Sequence, residues 1–297
     1  MPIIKKEQSI PPRPVVILIY GRPGCGKSSL ANTAKNPIII DCDRGADRAI
    51  NRQDYLSCSR WEDVLNEKET IKQYDTIVID TCRALLDDFL MDYVRRMDKS
   101  LITNQLKAYG AIANEFKAFV SELRAAGKDL IFVSHTREDK DGDMTQFSPD
   151  VTGSSKELLL RMADQVGFVA MVNNKRTVMF EPDDRIIAKN VAKLPAFNIP
   201  NADTAEFVTA MQDIIEKTKS SIIKRSEAQS AAIKSLMDIT NSIASVSSAE
   251  GATEILKKIN KLPAAHKKIK QLELLNKTKE LGYQYDKEKG VFVNETN

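Results

Sequence analysis

The chain has 297 residues, 42% of them hydrophobic and 29% charged, with a net charge of +3. That balance is ordinary for a folded globular protein and excludes wholesale disorder, and no apolar run approaches the roughly 18 residues of a membrane span, so no membrane partner is expected. The basic excess is confined to the end of the chain: residues 214–297 hold 15 Lys and Arg against 10 Asp and Glu, and the first 213 hold 29 against 31.

The opening segment, MPIIKKEQSIPPRP, is polar and lacks the apolar core of a secretion signal. The first strand is expected at Val15–Tyr20. Directly after it comes Gly21-Arg22-Pro23-Gly24-Cys25-Gly26-Lys27-Ser28, which fits G-x-x-x-x-G-K-[ST], and then Ser29 opens a helical stretch. Strand before and helix after are the context that makes this motif a phosphate-binding loop. Its glycines let successive N–H groups turn toward one anion. Lys27 supplies a cation for the β and γ phosphates, and Ser28 a hydroxyl for Mg²⁺. Residues 21 to 29 are therefore the expected nucleotide-binding segment.

A second strand, Pro37–Asp41, ends in Asp41-Cys42-Asp43. Neighbouring strand ends of such a sheet converge on the nucleotide, so Asp43 is a candidate to orient and deprotonate the attacking water. The other reading is that Asp41 and Asp43 only cap the segment Gly45–Ile50. Ser59 and Glu62 have capping-box spacing before a helix with Val64 and Leu65. Thr76–Asp80 is four apolar-flanked strand positions closed by Asp80, the Walker B pattern whose acid holds Mg²⁺. Residue 81 is Thr, where many hydrolysing NTPases carry Glu. Helices are expected over 83–97 and 111–126, the latter from the spacing of Phe116, Phe119, Val120 and Leu123.

Asp129–Ser134 is a further buried strand, and His135 follows it, placed to donate to a phosphate oxygen. It is one of 2 histidines. Residues 136–155 read as a polar loop, with a second capping box at Ser154 and Glu157 leading into ELLLRMA. Strands follow at Val166–Val172 and Thr177–Glu181. Asp203–Ile215 is expected as one amphipathic helix. Beyond it the chain becomes rich in Ser, Ala and Lys, with helices at about 222–245 and 251–281, broken near Ser247–Gly251 and at Pro263. YQY and VFV at the end read as a small hairpin. The 4 cysteines, Cys25, Cys42, Cys58 and Cys82, form no C-x-x-C pair, so neither a zinc site nor a disulfide framework is expected. The expected fold is α/β with a mostly parallel sheet and a mainly helical C-terminal region, divided as residues 1–215 and 216–297.

Together these motifs resemble the RecA family of recombination ATPases, and most of all the small phage-encoded RecA-like ATP-binding proteins that accompany single-strand annealing proteins. The resemblance spans about residues 12–215. It implies ATP and Mg²⁺ as ligands, with Ser28 and Asp80 at the metal. Asp43 inherits the role of the family's water-activating Glu, one methylene shorter. His135 inherits that of a phosphate-sensing amide. Residues 136–155 correspond to the family's DNA-binding loop, which makes Arg137 and Lys140 candidate DNA contacts, although 5 acids outnumber these 2 bases. Lys257, Lys258, Lys261, Lys267, Lys268 and Lys270 are an alternative DNA-binding cluster. The family completes its sites across subunits, so Arg185, Lys189 and Lys193 are candidates to act in trans within a homo-oligomer. The implied function is a cytoplasmic ATPase of a phage-bearing bacterial host that binds single-stranded DNA and assists recombination or annealing, with an annealing or single-strand binding protein as a further partner. The alternative is an ATP-dependent switch on a protein partner. A small-molecule kinase is disfavoured by the lack of an Arg-rich lid, and a AAA+ remodelling ATPase by Thr81.

Overall fold

The computed structural model describes residues 3–141 and 144–294, in two compact units: one of residues 11–223, the other of the residues up to 10 together with those from 224 on. The first unit is built on one sheet. Its strands in chain order are β1 (Val16–Gly21), β2 (Pro37–Asp41), β3 (Asp54–Ser57), β4 (Thr76–Asp80), β5 (Asp129–Asp141), β6 (Met144–Pro149), β7 (Gln165–Val172), β8 (Lys175–Met179), β9 (Lys189–Asn190) and β10 (Phe197–Asn198). They lie in the order β10-β8-β7-β1-β5-β4-β2-β3, with β6 on β5 and β9 on β7. Strands β1 to β5 and β7 pair in parallel, and β6, β8, β9 and β10 join antiparallel. The strand β5 separates the phosphate-loop strand β1 from the acid-bearing strand β4.

Alternation explains why the central strands are continuously apolar. In β1, Val16, Leu18 and Tyr20 join a core on one face, and Ile17 and Ile19 join the core on the other. Helix α1 (Lys27–Ala31) covers the second face with Leu30 and Ala31. On the first face lie α2 (Trp61–Asn66), the short α3 (Lys68–Ile71), a π-helical turn (Ala84–Leu90) running into α4 (Met91–Met97), α5 (Gln105–Ala125) and α6 (Gly153–Met162). In α5, Phe116 packs on Phe132 of β5, and Phe119 meets Trp61 edge-on at 5.0 Å.

Several local expectations shift. The α2 start is stabilised by Asp63, whose carboxylate accepts from the Ser59 and Arg60 amides, while Glu62 instead pairs with Arg96 at 2.7 Å. Ser154 lies inside α6, not ahead of it; the cap residue is Thr152, whose amide donates to Asp87. The helices expected on either side of residue 220 are one continuous helix, α7 (Ala210–Ala244), because no Gly or Pro interrupts Lys219-Ser220-Ser221. Residues 203–209 give only a 3₁₀ turn, Ala205–Phe207.

In the second unit, α8 (Ala249–Ile259) and α9 (Ala264–Glu280) pack with the antiparallel hairpin β11 (Tyr283–Asp286) and β12 (Val291–Asn294). Its small core joins Ile239, Ile243, Ile255, Ile259, Leu274 and Phe292. Lys257, Lys258, Lys261 and Lys268 are exposed, Lys267 is half-buried, and Lys270 pairs with Glu273.

Gly21 closes β1 where the backbone of β7 comes closest. A methyl group there would lie 2.4 Å from the Val169 carbonyl oxygen, which is fixed in the sheet. Gly21→Ala is expected to destabilise the fold by about 1–3 kcal/mol, read as a lower urea midpoint at an unchanged slope.

Candidate functional site

The strand β1 ends in the sheet centre, and the chain leaves it as the phosphate loop. Gly24 and Gly26 adopt φ of 77° and 88°, left-handed values that a side chain would strain. The loop curls around Lys27, whose side chain is buried at 5% exposure. Its ammonium donates to the carbonyls of Gly21 at 3.0 Å and Arg22 at 2.9 Å and lies 3.8 Å from Cys25 Sγ. Burial pushes the Cys25 thiol up, with the Lys27 charge opposing. The loop opens on a cavity of about 380 Å³ lined by residues of the loop, by Asp41, Asp43, Asp80, Thr81 and His135, and by the segment Gly45–Ile50. That size suits a nucleotide. Asn51 fixes the far wall against α1: it donates to the Ser29 carbonyl at 3.0 Å, and Asn32 donates to the Asn51 carbonyl.

Register brings the acids together, since Asp41 of β2 stands opposite Asp80 of β4. Ser28 Oγ donates to Asp80 Oδ2 at 2.6 Å. Burial pushes the Asp80 carboxyl up; the Ser28 bond counters this, and the neighbouring Asp43 adds to it. A half-buried carboxylate beside a second acid, paired with a hydroxyl, fits a divalent cation. Among the described residues no three His, Cys, Asp or Glu side chains converge to hold a metal alone. Mg²⁺ would therefore sit on Ser28 and Asp80 with phosphate oxygens and water completing its shell, supplying charge neutralisation of the transferred phosphoryl group.

The two acids of Asp41-Cys42-Asp43 separate by function. Asp41 is buried and accepts from the amides of Gly45 and Ala46 at 2.9 and 3.1 Å, so it caps the following turn. Asp43 caps nothing there. Its Oδ1 accepts from Thr81 Oγ1 at 3.1 Å, and its Oδ2 lies 3.9 Å from His135 Nε2. His135 stands opposite Gly21 in the β1–β5 register, at the mouth of the loop. Its Nδ1 is buried without a hydrogen-bond partner, which leaves Nε2 as the nitrogen facing the cavity acid.

Residues 136–149, expected as a loop, are instead the hairpin β5–β6, with Thr136 opposite Pro149 and Asp139 opposite Gln146. Residues 142 and 143 lie outside the described residues. Its charged residues hide the alternation of a strand that projects beyond the sheet, and Phe147 anchors it by stacking on Phe168 at 5.2 Å. Arg137 is paired with Asp139 at 2.8 Å, and Lys140 is exposed. Glu138 of the hairpin receives Arg22 of the phosphate loop at 2.7 Å, and Asp150 just past it receives Arg83 at 2.6 Å. The candidates for action in trans are placed differently from one another. Lys189 donates to the carbonyls of Leu160 and Ala163 at the end of α6, while Arg185 and Lys193 are exposed. The cavity also holds Arg48 and Arg176. Neither carries a motif signal in the sequence.

This fold and site define a P-loop ATPase domain. The chain belongs to the AAA domain family, whose model matches residues 13–191, more than half of its length. Thr81 still follows Asp80 where remodelling ATPases of that broad class would carry a glutamate. No curated protein matches the chain. Among solved structures it is similar to the flagellar accessory protein FlaH from Methanocaldococcus jannaschii, at 12% identity and a TM-score of 0.33, covering 56% of this chain and 76% of that one. Among the described residues no helix is long and apolar enough to cross a membrane.

Proposed function

We propose that this chain is a Mg²⁺-dependent RecA-like ATPase that binds single-stranded DNA and assists recombination or strand annealing. The observation that carries the ATPase half is the Ser28–Asp80 contact at 2.6 Å beneath a phosphate loop that also faces Asp43 and His135. Residues 21–29 cradle the phosphates, with Lys27 on the terminal ones. Asp43 takes a proton from the attacking water while His135 donates to a γ-phosphate oxygen. Phosphoryl transfer asks little of the protein beyond this positioning and charge stabilisation.

The DNA half is supported by the path from the loop to the hairpin. Arg22 reaches Glu138, and Lys140 stands exposed on the same β5 extension, so the phosphate loop and the hairpin share a direct contact. Exposed lysines of α8 and α9 are the alternative candidate contact. The resemblance to phage proteins adds a homo-oligomer, an annealing or single-strand binding partner and a bacterial cytoplasm to this reading. The acid-rich hairpin favours a second reading, an ATP-dependent switch on a protein partner, because carboxylates repel a phosphate backbone.

Steady-state ATP hydrolysis with and without single-stranded DNA, at low and at moderate salt, separates the two. Stimulation that fades with salt is the expected result. Turnover indifferent to DNA at both salts, with no binding at low salt, would leave the protein switch.

A further inference from the structure

We infer that Arg176 is a nucleotide-contacting residue, supplied in cis by β8 to the polyphosphate of the bound nucleotide. The inference rests on the reading of the cavity as an ATP site and adds to it a residue that no motif marks.

Register explains how a residue so distant in sequence arrives there. The strand β1 ends at Gly21 opposite Val169, but β7 continues for three more residues to Val172. The chain then reverses through Asn173 and Asn174, both at positive φ (48° and 61°), in the manner of a tight hairpin turn. Arg176 pairs with Met171 on the returning strand. The β7–β8 hairpin therefore overhangs the end of β1, where the phosphate loop begins.

The face is settled by period two. Val178 and Phe180 belong to the core that Leu30 and Ala31 of α1 also join. Arg176, two residues before Val178, points to that same face, while Thr177 points away and donates to Asn198. The guanidinium thus rests over the phosphate loop: a methyl group on Gly26 would lie 3.1 Å from Arg176 Nη1 and 3.7 Å from its Cδ. Gly26 accordingly has two reasons to lack a side chain, its φ of 88° and the arginine above it.

Among the described residues the charge forms no ion pair. Arg13, Arg22, Arg83 and Arg96 each pair with a carboxylate. Among the described residues no acid pairs with Arg176, although the side chain is only half-exposed and lines the cavity. It shares that cavity with the buried ammonium of Lys27. Among the described residues neither cation forms an ion pair with the cavity acids, and an anion held between the two gains attraction from both. A polyphosphate does this, and a guanidinium is the side chain that matches its oxygens in two-point contacts.

The test uses the full chain. Affinity for Mg-ATP is measured by titration calorimetry for wild type, Arg176→Ala, Arg176→Lys and Lys27→Ala, and inorganic tripolyphosphate is run as a competitor against a fluorescent ATP analogue. Melting temperatures without nucleotide check that each variant is folded. Arg176→Ala is expected to weaken both ATP and tripolyphosphate by about tenfold to a hundredfold, with partial recovery in Arg176→Lys. Wild-type affinity in Arg176→Ala alongside lost binding in Lys27→Ala would overturn the role of Arg176 and leave the ATP site standing. Loss for ATP but not for tripolyphosphate would also overturn it, because the contact would then be to the base or ribose. Wild-type affinity in Lys27→Ala would remove the ATP site itself.

Discussion

Lys27→Ala is expected to abolish ATP binding and turnover. The ammonium is buried among the loop carbonyls of Gly21 and Arg22, so the cation is pre-positioned and its desolvation is already met by hydrogen bonds. Phosphate oxygens would replace those carbonyls as acceptors, and a charge-assisted bond is among the strongest a side chain makes. Removing it takes away the one buried cation that the loop itself holds toward the terminal phosphates. Affinity should fall by about a hundredfold or more, measured by calorimetry with Mg-ATP. The carbonyls of Gly21 and Arg22 also lose their donor, so a lower melting temperature without nucleotide accompanies the loss. A variant that still bound ATP within tenfold of wild type would mean that the loop is not the phosphate site.

What could be read beforehand followed from how local each signal is. Lys27, Ser28 and Asp80 lie in short patterns whose chemistry depends on neighbours a few residues away, and the strands around them are continuous apolar runs. The parallel sheet was legible for the same reason. The strand β3 was missed because Asp54-Tyr55-Leu56-Ser57 is an edge strand, mostly exposed on both faces, with no apolar run to mark it. The β5–β6 hairpin was missed because its alternation is written in charged residues beyond the sheet. Asp41 and Asp43 could not be told apart, since capping depends on where the next turn folds back. Arg176 was invisible because its place depends on β7 outrunning β1, a property of pairing and not of any segment. Lys189 shows the converse: its place after Thr177–Glu181 makes it a candidate to act in trans, and only the fold reveals its contacts with the carbonyls that end α6.

Asp43→Asn separates binding from hydrolysis. The exchange keeps size and shape and removes the capacity to take a proton from water. Asp43 is not a cap, so little folding energy depends on its charge; the turn after β2 is held by Asp41. What holds Asp43 is Thr81, whose hydroxyl donates to Oδ1 at 3.1 Å and leaves Oδ2 turned toward His135 at 3.9 Å. Thr81 stands where other P-loop enzymes carry their own acid, and here it orients an acid from the neighbouring strand. Turnover in Asp43→Asn should drop by about 10²- to 10⁴-fold while Mg-ATP affinity stays near wild type. Thr81→Val, which keeps the carboxylate but loses its orienting bond, should fall between the two. If Asp43→Asn hydrolysed ATP within twofold of wild type, the base would have to lie elsewhere, and His135, the other titratable group at the mouth of the loop that is free of the metal pair, would be the next to replace.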